Sequence, residues 1–140
     1  MCVGGKMKIP QDMLASAKAV LPHAYAPYSH YQVAACVKSE SGQLFVGCNV
    51  ENASYSMTLC AESGAISALF AAGFKRVTET LILVSSKKLC APCGACRQRL
   101  LECANPAMII HLCNTDGAHA SHTINELIPI AFGPQHLEQA

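Results

Sequence analysis

The chain has 140 residues, with 51% hydrophobic and 14% charged residues and a formal net charge of +1. That length and apolar content suit one covered domain spanning 1–140. The near-neutral charge and the lack of a basic cluster, with Lys87 and Lys88 the only adjacent lysines, argue against nucleic acid as a partner, since phosphate neutralisation needs a basic patch.

No apolar run reaches the roughly 20 residues that span a bilayer, and M-C-V-G-G-K-M-K-I-P lacks a hydrophobic signal core. The expectation is a cytoplasmic protein without a membrane partner. Its nine cysteines then read as free thiols and metal ligands, not disulfides. Residues 1–8 are expected to be disordered.

Along the chain, residues 11–21 predict a helix, with Met13, Leu14, Ala17, Val20 and Leu21 on one side. The aromatic run 23–31 reads as loop, with Pro27 discouraging helix at Ala26. Residues 32–38 and 43–50 predict a hairpin turning near Gly42. Residues 59–72 predict a helix capped by Thr58 and ended by Gly73. Ala61, Ala65, Ala68 and Ala72 form a small-residue stripe on it, suited to close approach by either the chain's own sheet or a second subunit. A buried strand follows at 80–85, a helix from about 93 to 102, a strand at 107–113 and a weak strand near 119–123 after a turn at Asp116-Gly117. Short helical pieces end the chain. This order predicts an α/β domain layered around a mixed sheet.

The chemistry concentrates in T-L-C-A-E-S-G-A (58–65) and A-P-C-G-A-C-R-Q (91–98). Cys93 and Cys96 lie at i, i+3 at a helix start, where the dipole favours thiolates. Alone, C-x-x-C could be a redox pair. Cys60 at a second helix start adds a third sulfur. Three protein ligands on zinc leave a position for water, whereas a closed structural site would recruit Cys90 as a fourth. Glu62 separates these readings. A carboxylate in a first helical turn can simply complement the dipole, but two residues from a metal thiolate it can carry protons for zinc-activated water. Positions 60 and 62 point about 200° apart on an ideal helix, so both reach one ion only if Cys60 sits at or before the cap.

C-A-E (60–62) with P-C-G-A-C-R-Q (92–98) resembles the zinc deaminase signature. The wider chain resembles the small homotetrameric cytidine deaminases, through A-Y-A-P-Y-S-H-Y-Q-V (24–33), G-C-N-V-E-N-A-S-Y-S (47–56) and E-L-I-P-I-A-F (126–132). The resemblance implies a three-layer α/β/α fold with a mixed five-stranded sheet and a homotetramer with composite active sites. It implies hydrolytic deamination of cytidine and 2′-deoxycytidine to uridine and 2′-deoxyuridine plus ammonia, in pyrimidine salvage. By motif, Cys60, Cys93 and Cys96 would hold one Zn²⁺ per chain and Glu62 would shuttle protons. Asn49 and Glu51 match residues that hold the ribose, Tyr31 an aromatic that packs on the base, and Ala61 a substrate contact. Ala53, Tyr55 and Phe132 match positions lining a neighbour's pocket.

The family often has Arg directly after the Glu, where this chain has Ser63. Three thiolates on Zn²⁺ leave a net negative charge, which a guanidinium beside the sulfurs would offset. Ser63 offers only a hydroxyl, so Arg97 and the two helix dipoles are expected to take that task. The family's V-G-A-A is V-A-A-C at 33–36, and Tyr31 stands where Phe is frequent. Rival readings are a deaminase of a cytosine-containing antibiotic such as blasticidin S, a polynucleotide-editing deaminase and a non-catalytic zinc module. The C-N-V-E-N-A segment favours the nucleoside, and the charge disfavours the polynucleotide.

Overall fold

A computed structural model describes residues 7–137. Of the leader expected to be disordered, residues 1–6 lie outside the described residues, and Met7 and Lys8 are irregular chain before the first helix. Helix α1 (Gln11–Val20) carries Asp12 in its first turn and Lys18 in its last, complementing the helix dipole. Its buried face is Met13 and Ala17, continued by Leu21 in a 3-10 turn, Leu21–His23. Leu14 and Val20 flank that face, half-buried.

Strands β1 (Val33–Ser39) and β2 (Leu44–Cys48) pair antiparallel, from Ala34 opposite Cys48 to Lys38 opposite Leu44. Gly42 makes their turn with φ +89°, a conformation that costs a side chain but not glycine. Helix α2 (Ala61–Ala71), strand β3 (Val77–Val84), helix α3 (Gly94–Cys103), strand β4 (Ala104–Asn114), strand β5 (His119–Thr123) and helix α4 (Ile124–Leu127) follow. The sheet order is β2-β1-β3-β4-β5, parallel only between β3 and β4, so the five-stranded sheet is mixed as expected.

Two strands start earlier than their apolar runs predict. Val77 pairs with Ala104 beyond a register shift, which extends β3 and β4 past the polar residues at 78–80 and through Pro106. A proline inside a strand is tolerated where the ladder is already irregular.

Alternation along the strands sorts the core into two layers. Ala34, Cys36, Leu81, Leu83 and Cys113 meet α1 on one face. Ala35, Val37, Ile82, Ile110 and Leu112 meet α2, α3 and α4 on the other. The result is three layers, α/β/α. On the α1 side of the sheet His111 is fully buried, bonded at Nδ1 to Ser121 Oγ (2.8 Å) and at Nε2 to Glu79 Oε2 (2.6 Å). Lys38 completes this chain at 3.3 Å from Glu79.

α2 leads into the start of β3, and α3 leaves from the end of β3. α2 runs back across β1 and β2, and α3 returns to the start of β4, so both helices begin at the carboxyl end of β3. Open α/β sheets place their sites at that end.

Candidate metal and catalytic site

Cys60 is the N-cap of α2, with φ −75° and ψ 152°. The expected cap, Thr58, instead ends a 3-10 turn, Tyr55–Met57, and its Oγ1 accepts from the Asn52 amide at 3.4 Å. Moving the cap two residues on satisfies the geometric condition for Cys60 and Glu62 to face one point. Cys93 is the N-cap of α3, and Cys96 lies in that helix's first turn.

The sulfurs of Cys60, Cys93 and Cys96 all lie within 4.8 Å of one another. Among the described residues no histidine or fourth cysteine joins them. Cys90, the candidate for closing the site, points its thiol at the Ala91 carbonyl (3.4 Å). Glu62 sits in the first turn of α2 and is only 5% exposed.

The local electrostatics differ at each group. The backbone N–H of Cys96 is the main force holding the Cys93 thiol below its ordinary value, in line with its helix-start position. Burial pushes the Cys96 and Cys60 thiols up, and the Glu62 charge adds to both. Burial also raises the Glu62 carboxyl, opposed by its own backbone N–H, by Cys96 and by Arg99. Three thiols and a buried carboxyl thus compete for negative charge in one small volume. A soft divalent cation resolves that competition, and three sulfurs with no fourth protein donor fit zinc with a coordination position left for water.

The two arginines beside the cysteines divide differently from expectation. Arg97 is committed elsewhere: its Nε donates to the Pro92 carbonyl (2.8 Å) and its Nη1 to the Leu127 carbonyl (2.5 Å), tying α3 to α4. Arg99 reaches the site, with Nη1 3.9 Å from the Cys96 sulfur. Ser63, half-buried in the first turn of α2, lines one depression with Arg99. The i, i+3 spacing from Cys96 was the signal that could have identified Arg99.

Asn49 and Glu51 lie on a short bridged segment whose backbone pairs with Tyr25 and Leu59. The Asn49 side chain is buried, accepting from the Val33 amide (3.0 Å) and donating to the Tyr31 carbonyl (2.7 Å). Glu51 accepts from the Tyr28 and Ser29 amides (3.0 and 3.1 Å) and from the Ser29 hydroxyl. Those bonds, led by the hydroxyl, hold its carboxyl below the usual range. Glu51 opens a cavity of about 290 Å³ with Tyr28, Ser29, Asn52, Tyr55 and Thr58. Tyr28 and Ser29, which went unassigned in the sequence, are thereby part of this region.

Tyr31 lies at the surface with its hydroxyl against Cys90 and Ser86, on the loop leading to Cys93, and burial followed by Cys90 raises its pKa. Ala61 is buried at the first position of α2, its carbonyl against Gly47. Ala53, Tyr55 and Phe132 stand apart from the cysteines' buried neighbours: Tyr55 is 76% exposed and edge-on to Tyr28, and Phe132 is 56% exposed and stacked on His136. Gln98 holds the Phe132 carbonyl at 2.9 Å, which anchors the tail to α3. In the small-residue stripe, Ala61 and Ala65 are buried against the chain's own sheet, while Ala72 lies past the helix and is exposed.

Comparison with known proteins is consistent across sequence and structure. The family model for the cytidine and deoxycytidylate deaminase zinc-binding region matches residues 7–112. A cytidine deaminase of Sporosarcina psychrophila is 35% identical over 130 residues, covering 93% of this chain and 96% of that protein. One from Halalkalibacterium halodurans is 38% identical over 109 residues, covering 78% and 83%. The crystal structure of cytidine deaminase from Burkholderia pseudomallei superposes with a TM-score of 0.83 at 36% identity, covering 89% of this chain and all of that one.

Proposed function

The chain belongs to the cytidine and deoxycytidylate deaminases, and on that premise we propose that it hydrolyses cytidine and 2′-deoxycytidine to uridine and 2′-deoxyuridine, releasing ammonia. The observation that carries the reading is the meeting of three cysteine sulfurs with one buried carboxyl at two adjoining helix starts.

Cys60, Cys93 and Cys96 would hold zinc, which supplies the Lewis acidity that makes water nucleophilic near neutral pH. Glu62 moves the protons. It takes the proton that water loses on attacking C4 of the cytosine ring and gives it to ring N3, then takes the proton of the new C4 hydroxyl and gives it to the departing amine, so that the C4 carbonyl forms as ammonia leaves. Its burial, which raises the carboxyl above its ordinary value, supports this role, because a more basic carboxylate is a better proton acceptor.

Asn49 and Glu51 receive the ribose. Each retains hydrogen-bonding capacity after holding its backbone partners: Asn49 one amide hydrogen and one lone pair, Glu51 further lone pairs. Tyr31 packs near the base, and Ala61 contributes its backbone. The exposure of Tyr55 and Phe132 supports a composite pocket in a homotetramer, in which these two and Ala53 face a neighbouring subunit. We take the chain as one domain working in the cytoplasm, where its thiols stay reduced. Among the described residues no helix is long and apolar enough to cross a membrane.

The test is turnover of cytidine by wild type and Glu62→Gln, with zinc measured on both. Zinc-loaded Glu62→Gln should lose at least about 10²-fold in kcat, the usual worth of a positioned acid-base group. A wild type that holds zinc and leaves both nucleosides unchanged refutes the substrate assignment.

A further inference from the structure

The proposed zinc site is crowded with negative charge. Three thiolates outweigh a divalent cation, and Glu62 adds a fourth acid at the same point. Position 63, directly after Glu62, offers no positive charge. Arg97 is turned away and bonded to two carbonyls. The remaining cation is Arg99, whose guanidinium lies 3.9 Å from the Cys96 sulfur and acts on the Glu62 carboxyl.

We propose that Arg99 is the charge-balancing and positioning residue of this zinc site, reaching the Cys96 thiolate from α3 across space that Ser63 leaves free on α2. The inference rests on the zinc reading above and goes beyond it, to a residue that neither ligates metal nor matches the deaminase motif.

Three observations carry it. Cys96 and Arg99 are at i, i+3, so they are neighbours on one helix face. Ser63 and Arg99 line the same depression between α2 and α3, together with Ile66 and Phe70. Glu102 lines the depression as well, and Arg99 is exposed there. A serine at 63 is the small residue that lets the arginine of the other helix enter. An arginine at 63 and one at 99 would contend for the same space and repel.

The prediction is therefore one of interchange. Arg99→Gln should weaken zinc binding by about ten-fold or more, the usual effect of removing a partner of a metal ligand. Arg99→Lys, which keeps charge but loses the planar fork, should fall between the two. Ser63→Arg placed in the Arg99→Gln background should return zinc affinity most of the way.

Affinity is read by competition of the holoenzyme against a chromogenic chelator. A second readout is the thiolate-to-metal charge-transfer band of cobalt-substituted protein, which should shift in Arg99→Gln and return in the double variant. Thermal melting of the metal-free forms identifies loss of folding, which Arg99→Gln should not cause because the side chain is largely exposed. Arg99→Gln with wild-type zinc affinity and an unshifted band overturns the proposal. So does a folded double variant that binds zinc no better than Arg99→Gln. A failure of the substrate reading shows separately, as intact zinc binding without turnover.

Discussion

Gly47 on β2 lies under the start of α2, and its replacement by alanine tests how tightly the sheet sets the site. A Cβ built at Gly47 would stand 2.4 Å from the Ala61 carbonyl oxygen and 2.5 Å from the Ala65 nitrogen, where ordinary contact begins at 3.4 Å. Both obstructing atoms are helix backbone, so no side chain can swing aside. The first turn of α2 must retreat by about 1 Å, at the cost of about 1–3 kcal/mol typical of an overpacked core. That turn carries Cys60 and Glu62, and a 1 Å misplacement of reacting groups costs up to about 10²-fold in rate. The assay is urea unfolding together with kcat and zinc content for Gly47→Ala. Gly64→Ala is the control from the other side of the same contact. Its Cβ would meet the Gly47 Cα at an ordinary 3.5 Å. It should therefore stabilise, by up to about 1 kcal/mol, through helix propensity alone. Gly47→Ala with wild-type stability and turnover would refute the close-approach argument.

Two further perturbations follow from the bonding of α3 and from the buried thiols. Arg97→Gln removes charge-assisted donors from the Pro92 and Leu127 carbonyls; the urea midpoint should drop by the equivalent of about 1–3 kcal/mol, and an unchanged midpoint would show those bonds to be idle. Burial raises Cys36 from 9.0 to about 12, and Cys103 and Cys113 to about 11. The folded chain therefore keeps these protons at pH values where the unfolded chain has lost them. Stability is full below pH 9 and falls as pH rises from there toward 11–12, by about 1.4 kcal/mol per pH unit for each thiol. Unfolding of zinc-loaded protein between pH 8 and 10.5 should show a decline that is shallower in Cys36→Ala, and parallel slopes would contradict it.

Most of the architecture was legible because periodicity and punctuation agree along the chain. The apolar stripe of α1, the Gly42 turn, the buried run of β3 and the positive-φ Gly73 and Gly117 each mark an element where the structure has it. The misplacements have local causes. Thr58 is a favourable cap by residue type, but its segment is held by the Val50–Leu59 bridge, which delays the helix to Cys60. β3 and β4 extend through residues with weak strand preference because Val77 and Ala104 pair beyond a bulge. Buried His111 carried no periodic signal, since its partners Glu79 and Ser121 come from flanking strands. Gly47 was equally silent, because its requirement comes from a helix that begins fourteen residues later.

The site itself divides along the same line. The meeting of Cys60, Cys93 and Cys96 could be anticipated, since a helix start fixes where a cap and a first-turn side chain point, while the choice of these three as a zinc set came from the motif they resemble. The surrounding charge could not, because neighbours along the chain and neighbours in space differ. Arg97 is adjacent to Cys96 in sequence, yet successive helical positions point about 100° apart; its guanidinium goes to the carbonyls behind α3. Arg99, a turn later, comes back over the Cys96 face. The same geometry makes Ser63 and Arg99 neighbours although 36 positions separate them. The two helix starts are brought together at one end of β3, so a positive charge can enter the site from either helix. On the zinc reading proposed above, the three sulfurs call for a cation beside them, and the packing of α2 against α3 places Arg99 there.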